Sequence, residues 1–334
     1  MKLGFIGTGA IARAHATAIR RVDGVDLVSV FDRNEEILDK FSSDFEVPAA
    51  SSAEQLFDEV DAVYVLTPPK AHRDPLLEAI AHGKHVLCEK PIAVDLDDAS
   101  AMVAAAEKAG VVFGMGFNNR ARPQIQALRN AVASGQLGDV ISCWSRRLGY
   151  SRWAPDDWRT AEGALAGMTI QSISHDVDML RYAVGEIELV AGVTGSSMPQ
   201  VSGFDDNLSA TLVFESGVVG NIHASWSSHL GHGSRGVIGS EGSFSIEGPG
   251  LWMMTHSRSS NVGGDAEQVE WFARDIAEDM GYAGTAAAFR DAVETGSAPL
   301  ASGHDGLRSL EISSAILASS ARREMVDSRG FRPE

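Results

Sequence analysis

The stretch Lys2-Leu-Gly-Phe-Ile-Gly7-Thr8-Gly9-Ala10-Ile11-Ala12 decides the fold. A short, mostly apolar run leads into two glycines one residue apart, and a helix-forming segment follows at once. In a strand-turn-helix unit the first glycine permits the tight turn and the second lets backbone amides approach a pyrophosphate. A small third residue then lets helix pack on strand. Gly7, Gly9 and Ala12 fill those places. Thr8, Ala10 and Ile11 complete the turn at the helix start, where the helix dipole favours an anion. Asp32 ends the second apolar run, about 20 residues further on, where a carboxylate binds the adenosine ribose hydroxyls. That carboxylate favours NAD, and the adjacent Arg33 leaves NADP open as a phosphate clamp.

Outward from this turn, short apolar runs alternate with helical patterns. Leu3 to Ile6, Leu27 to Phe31, Val63 to Leu66, Val86 to Leu87 and Val111 to Phe117 read as strands. Ile11 to Val22, Glu35 to Phe41, a segment after Ser52, Pro75 to Ala81 and Leu96 to Ala109 read as helices. Such alternation predicts an α/β fold, a doubly wound parallel Rossmann sheet. After a helix over Pro123 to Ser134 the period changes to two. Leu208, Ala210, Leu212 and Phe214 alternate with Ser209, Thr211 and Val213, and Glu215-Ser-Gly217 turns the chain into a second strand. This pattern predicts a C-terminal α+β domain on an open, mostly antiparallel sheet, closed by an amphipathic helix through Leu307, Leu310 and Ile316. The expected division is a dinucleotide-binding domain over 1–119 and a substrate-binding and oligomerisation domain over 120–334.

Composition narrows the function. The formal net charge of −17 over 334 residues disfavours nucleic-acid phosphates as partners. No apolar run is long enough to span a bilayer, and the N-terminus reads as a strand rather than a leader, so a cytoplasmic, membrane-free protein is expected. Two cysteines, Cys88 and Cys143, are too few for a disulfide framework, and the histidines show no metal-ligand spacing, so no metal is expected.

Further motifs recur in order: Thr67-Pro68-Pro-Lys-Ala-His72, Cys88-Glu89-Lys90-Pro91, Gly116-Phe-Asn118-Asn-Arg120, His175-Asp-Val-Asp178, Gly239-Ser-Glu-Gly242 and Asp305-Gly-Leu-Arg308. With these, nearly the whole chain resembles the Gfo/Idh/MocA oxidoreductases, which include inositol dehydrogenases and glucose-fructose oxidoreductases. The resemblance implies that Lys90 lies beside nicotinamide and substrate as a catalytic residue, and that Pro91 is often joined by a cis peptide. It places Thr67, Pro68 and His72 on the cofactor-facing loop, with His72 alternatively capping the next helix; Glu89 joins the cofactor set. Independently, a lysine ending an apolar run at the carboxyl edge of a parallel sheet stands where ligands gather, and an ammonium there can stabilise alkoxide character.

Ile170, Ile173, Val177 and Leu180 give a helical apolar face, and His175 falls four residues after Gln171, so the two share a face of that helix. In the family the pair is usually an acid followed by a histidine base. Here Gln171 stands at the acid position, and an amide orients an imidazole without stabilising its charge. Gln171 then orients His175 and contacts substrate, or Lys90 does most of the proton transfer, or the site is weakened. Asn118 and Arg120, near the domain hinge, are candidate nicotinamide or substrate contacts. Trp153, Trp158 and Arg159 form an aromatic, polar stretch suited to stacking a sugar face, or equally to packing. The expected activity is NAD(P)-dependent hydride transfer at a secondary alcohol or ketone of a sugar, cyclitol or related polyol by a homodimer or homotetramer. Its rivals are a non-catalytic metabolite sensor and a redox-assisted glycosidase or lyase that recycles its cofactor.

Overall fold

In the computed structural model, residues 1–151, 167–197, 205–248, 251–256, 268–273 and 280–333 are described. Strands β1 (Lys2–Ile6), β2 (Asp26–Phe31), β3 (Ala62–Val65), β4 (His85–Cys88) and β5 (Phe113–Met115) form a parallel sheet in the order β2-β1-β3-β4-β5. Between them run α1 (Ala10–Ile19), α2 (Glu35–Phe45), α3 (Ala53–Glu59), α4 (Arg73–Ala81) and α5 (Leu96–Ala109). The order reverses between β1 and β3, the switch point at which a doubly wound sheet opens a ligand crevice at its carboxyl edge. β3 is buried at every residue, as an interior parallel strand covered on both faces must be.

The chain continues through α6 (Pro123–Ala133), β6 (Val140–Tyr150), α7 (Gly167–Gln171), α8 (Ser174–Val184), β7 (Ile187–Gly195), β8 (Asn207–Phe214), β9 (Val219–Ser225), β10 (Ser227–Gly239) and β11 (Gly242–Glu247). It ends with β12 (Leu251–His256), β13 (Gln268–Ala273), α9 (Tyr282–Thr295), α10 (Gly303–Arg322) and β14 (Val326–Asp327). Among the described residues the second sheet has nine strands, β13-β12-β11-β10-β6-β9-β8-β7-β14. Its neighbours pair antiparallel except β6 with β9. The β8–β9 hairpin turns at Gly217 in the left-handed region, and β8 buries Leu208, Ala210, Leu212 and Phe214 on one face.

The chain divides into two compact units, one of residues 1–121 and 279–310, the other of 122–278 and 311–334. The sequence reading assigns 279–310 to the second domain; the structure puts it in the first. The reason is apolar burial: Ala286 and Phe289 of α9 belong to the same core as Leu3, Phe5, Ala12 and Tyr64. A ring at Phe289 is also why β5 carries Gly114, where an added Cβ would lie 2.9 Å from that ring.

Candidate active site

In the first unit the turn after β1 holds two glycines of different kinds. Gly7 has φ 95°, and a Cβ on it would come within 2.7 Å of the Leu66 carbonyl carbon and 2.8 Å of the Thr67 nitrogen. The fold itself demands glycine there. Gly9 has φ −69°, and a Cβ on it would meet no atom of the described residues within 4 Å. α1 starts with Ala10, with no side-chain cap and no acidic residue in its first turn, so its leading N–H groups are left for an anion. Ile11 follows, half-buried. Asp32 steadies this turn: its Oδ2 accepts from the Thr8 backbone N–H at 2.7 Å and from Thr8 Oγ1 at 3.1 Å, and its Oδ1 accepts from Asn34 N–H at 2.9 Å. Arg33 is exposed beside it.

The loop after β3 carries Thr67, half-buried and donating to the Ala71 carbonyl, and the exposed Pro68. His72 is fully buried; its Nε2 lies 2.8 Å from the Thr67 carbonyl and its Nδ1 3.1 Å from that of Ile92. The expected cofactor contact and the alternative helix cap are both replaced here. The ring has no surface to offer and makes no capping bond, and it ties the Thr67 loop to the segment after Pro91 instead. Burial pushes its pKa down against the two carbonyls and Glu89, so the ring is held neutral.

Glu89 and Lys90 follow β4 at the same carboxyl edge, and the Lys90–Pro91 peptide is cis. Lys90 is half-buried. Glu89 is buried, with Oε2 accepting from the Lys90 backbone N–H at 3.0 Å and Oε1 2.9 Å from His15 Nε2. Burial raises its pKa, but His15 and the Lys90 ammonium more than offset this and leave it below the ordinary carboxyl value. His15 is absent from the sequence-derived set. The available signal was a polar residue on the apolar α1 stripe of Ala12, Ala16 and Ile19. Cys88 and Cys143 are buried free thiols, and burial raises both, Cys143 to about 12.

Asn118 and Arg120 are buried and otherwise engaged. Asn118 donates to the Met280 carbonyl at 2.6 Å. Arg120 donates to the Leu300 carbonyl at 2.9 Å and pairs with Asp305 at 2.8 Å. These bonds tie Asn118 and Arg120 to residues 280–305 within the first unit, and Asp305 takes part through its pair with Arg120.

In the second unit, Gln171 and His175 are both half-buried. They do not lie on one continuous helix. Gln171 ends α7, the Ile173 N–H reaches back to the Met168 carbonyl, and His175 bonds Ser172 three residues earlier. The helical ladder therefore breaks between them. Asp176 is fully buried; its carboxylate accepts from Ser145 Oγ at 2.6 Å and pairs with Arg147 at 2.8 Å and Arg235 at 3.3 Å. Desolvation alone would raise its pKa, but the two guanidiniums hold it far below the usual carboxylate range. It fixes α8 to β6 and β10. Ile170, Ile173, Val177 and Leu180 are buried, as the periodicity predicts. Trp153, Trp158 and Arg159 lie outside the described residues.

A parallel sheet with a glycine turn at its switch point, a helix start left for an anion and a carboxylate after β2 define a dinucleotide-binding α/β protein. Residues 1–117 match the oxidoreductase family with an NAD-binding Rossmann fold, and residues 125–245 match the GFO/IDH/MocA C-terminal domain. A 1,5-anhydro-D-fructose reductase from Ensifer adhaerens is 33% identical over 328 residues, 95% of this chain and 96% of that protein. Myo-inositol 2-dehydrogenase from Thermotoga maritima is 28% identical across 100% of this chain and 99% of its own length. In fold, a levoglucosan dehydrogenase solved with NADH and L-sorbose superposes with a TM-score of 0.88 at 22% identity, covering 98% of both chains. This chain belongs to the GFO/IDH/MocA oxidoreductase family, and NAD is its cofactor. The residues fit that cofactor: among the described residues nothing requires glycine at position 9, and a glycine there leaves room for a pyrophosphate to approach the backbone.

Proposed function

We propose that the chain transfers a hydride between NAD and a secondary alcohol or ketone of a sugar, cyclitol or related polyol. The observation that carries this reading is the placement of Lys90, after β4 and beside a buried carboxylate, at the sheet edge where the glycine turn opens. The sugar and inositol chemistry printed in its relatives' names supports the substrate class. The bound nicotinamide supplies the hydride acceptor or donor. The turn from Gly7 to Ile11 binds the pyrophosphate, and Asp32 takes the ribose hydroxyls on the lone pairs that Thr8 and Asn34 leave. Lys90 Nζ hydrogen-bonds the reacting oxygen and stabilises its alkoxide character. His175 and Gln171 are the second unit's candidates for contacting substrate, with Trp153, Trp158 and Arg159 as further candidates.

The proposal includes a homo-oligomer and a cytoplasmic location. For the first, register sets Ile238, Ser142, Val219, Val213 and Leu189 in one row across five strands, and Val219 and Val193 are 49% and 72% exposed. An apolar face of that kind is covered best by a second copy. For the second, both cysteines are free thiols, and no described helix is long and apolar enough to cross a membrane.

The test is the reduced-nicotinamide absorbance across a panel of cyclitols, aldoses and anhydro sugars. Steady turnover is expected, and Lys90→Gln lowers kcat by about 10²–10⁴-fold with NADH affinity retained. Full activity of Lys90→Gln, or no turnover with any sugar, contradicts the proposal.

A further inference from the structure

His15 and Glu89 form a buried polar pair that the proposed chemistry does not use. His15 sits on the core side of α1, between Ala12 and Ala16, where an aliphatic residue would pack more cheaply. Its ring is enclosed edge-on by Tyr64 and Tyr282, with centroids 5.4 and 4.8 Å away. Glu89 is equally confined: Gly116 faces it so closely that a Cβ there would lie 2.7 Å from Oε1. Each carboxylate oxygen has its own donor, His15 on one and the Lys90 backbone N–H on the other. The helix whose N-terminus follows the glycine turn is thus joined to the Lys90 backbone through one imidazole and one carboxylate.

We infer that His15 is a positioning residue for Lys90 and acts through Glu89. A side chain as long as lysine places its ammonium accurately only if its own backbone is fixed, and Glu89 fixes that backbone while His15 fixes Glu89. Small displacements of a reacting group carry large costs in rate. The inference rests on the proposed role of Lys90. It adds that the ammonium is located relative to the cofactor helix by a pair whose members lie 74 residues apart in sequence.

The experiment compares wild type, His15→Ala, His15→Gln, Glu89→Gln and Lys90→Gln with the best sugar of the panel, measuring kcat, KM and NADH affinity by fluorescence titration. His15→Ala is expected to lower kcat by about tenfold or more while NADH binds as in wild type. His15→Gln, whose amide nitrogen reaches the place of Nε2, recovers most of that loss. Where His15→Ala does not fold, the isosteric Glu89→Gln carries the test through the same fall in kcat. A folded His15→Ala enzyme with wild-type kcat overturns the inference, and so does a loss confined to NADH affinity. If Lys90→Gln retains kcat, the reading of Lys90 fails instead and leaves His15 nothing to position.

Discussion

In the first unit the dinucleotide turn is shaped by backbone. Gly7 sits at φ 95° against the Leu66 and Thr67 main chain, and Asp32 takes two backbone N–H groups within a few residues of the strand ends. In the second unit one buried carboxylate, Asp176, gathers Ser145 and Arg147 from β6 and Arg235 from β10. Backbone demands are written in neighbouring residues and show as a motif. An ion cluster assembled over 29 to 59 residues leaves only scattered charges in the sequence. The difference also separates two kinds of fragility, since altering the turn strains one loop and removing the carboxylate strands two guanidiniums.

The largest effect follows from that last point. Asp176→Ala is expected to cost about 3–5 kcal/mol in urea unfolding, because it removes the fully buried partner of two half-buried guanidiniums and leaves them uncompensated. Asp176 titrates below its unfolded value, so its contribution is complete above the unfolded carboxyl pKa of about 3.9 and is lost as pH falls through the lower folded value. The wild type therefore loses stability on acidification more steeply than the variant. Equal acid limbs, or a loss under about 1 kcal/mol, would remove the cluster as the anchor of α8.

Gly7→Ala comes next. A left-handed φ and a clash with main chain together cost about 1–3 kcal/mol, read as a lower Tm, and NADH binding fails with them. An unchanged Tm would mean that the turn adapts and that the contrast between the units is overdrawn.

How much of this was legible follows the same division. The strand-turn-helix around Gly7, the carboxylate at Asp32 and Lys90 after β4 could be read because each is defined by its neighbours in sequence. Three features were not. The return of 279–310 to the first unit depends on Phe289 joining a core whose other members lie far upstream. The bonds from Arg120 to Leu300 and Asp305 could not be read because those partners are distant in the chain. The break between Gln171 and His175 was hidden by an apolar spacing that two short helices satisfy as well as one.

The most direct measurement is the pairing of thermal unfolding with NADH titration for Gly9→Ala. With ordinary backbone angles and no atom of the described residues near the added Cβ, the variant should keep its stability to within about 0.5 kcal/mol. It should also bind NADH about tenfold more weakly, the equivalent of ~1.4 kcal/mol. A Gly9→Ala protein that binds NADH as tightly as wild type would contradict the assignment of this turn to the pyrophosphate, and with it the account of the cofactor site.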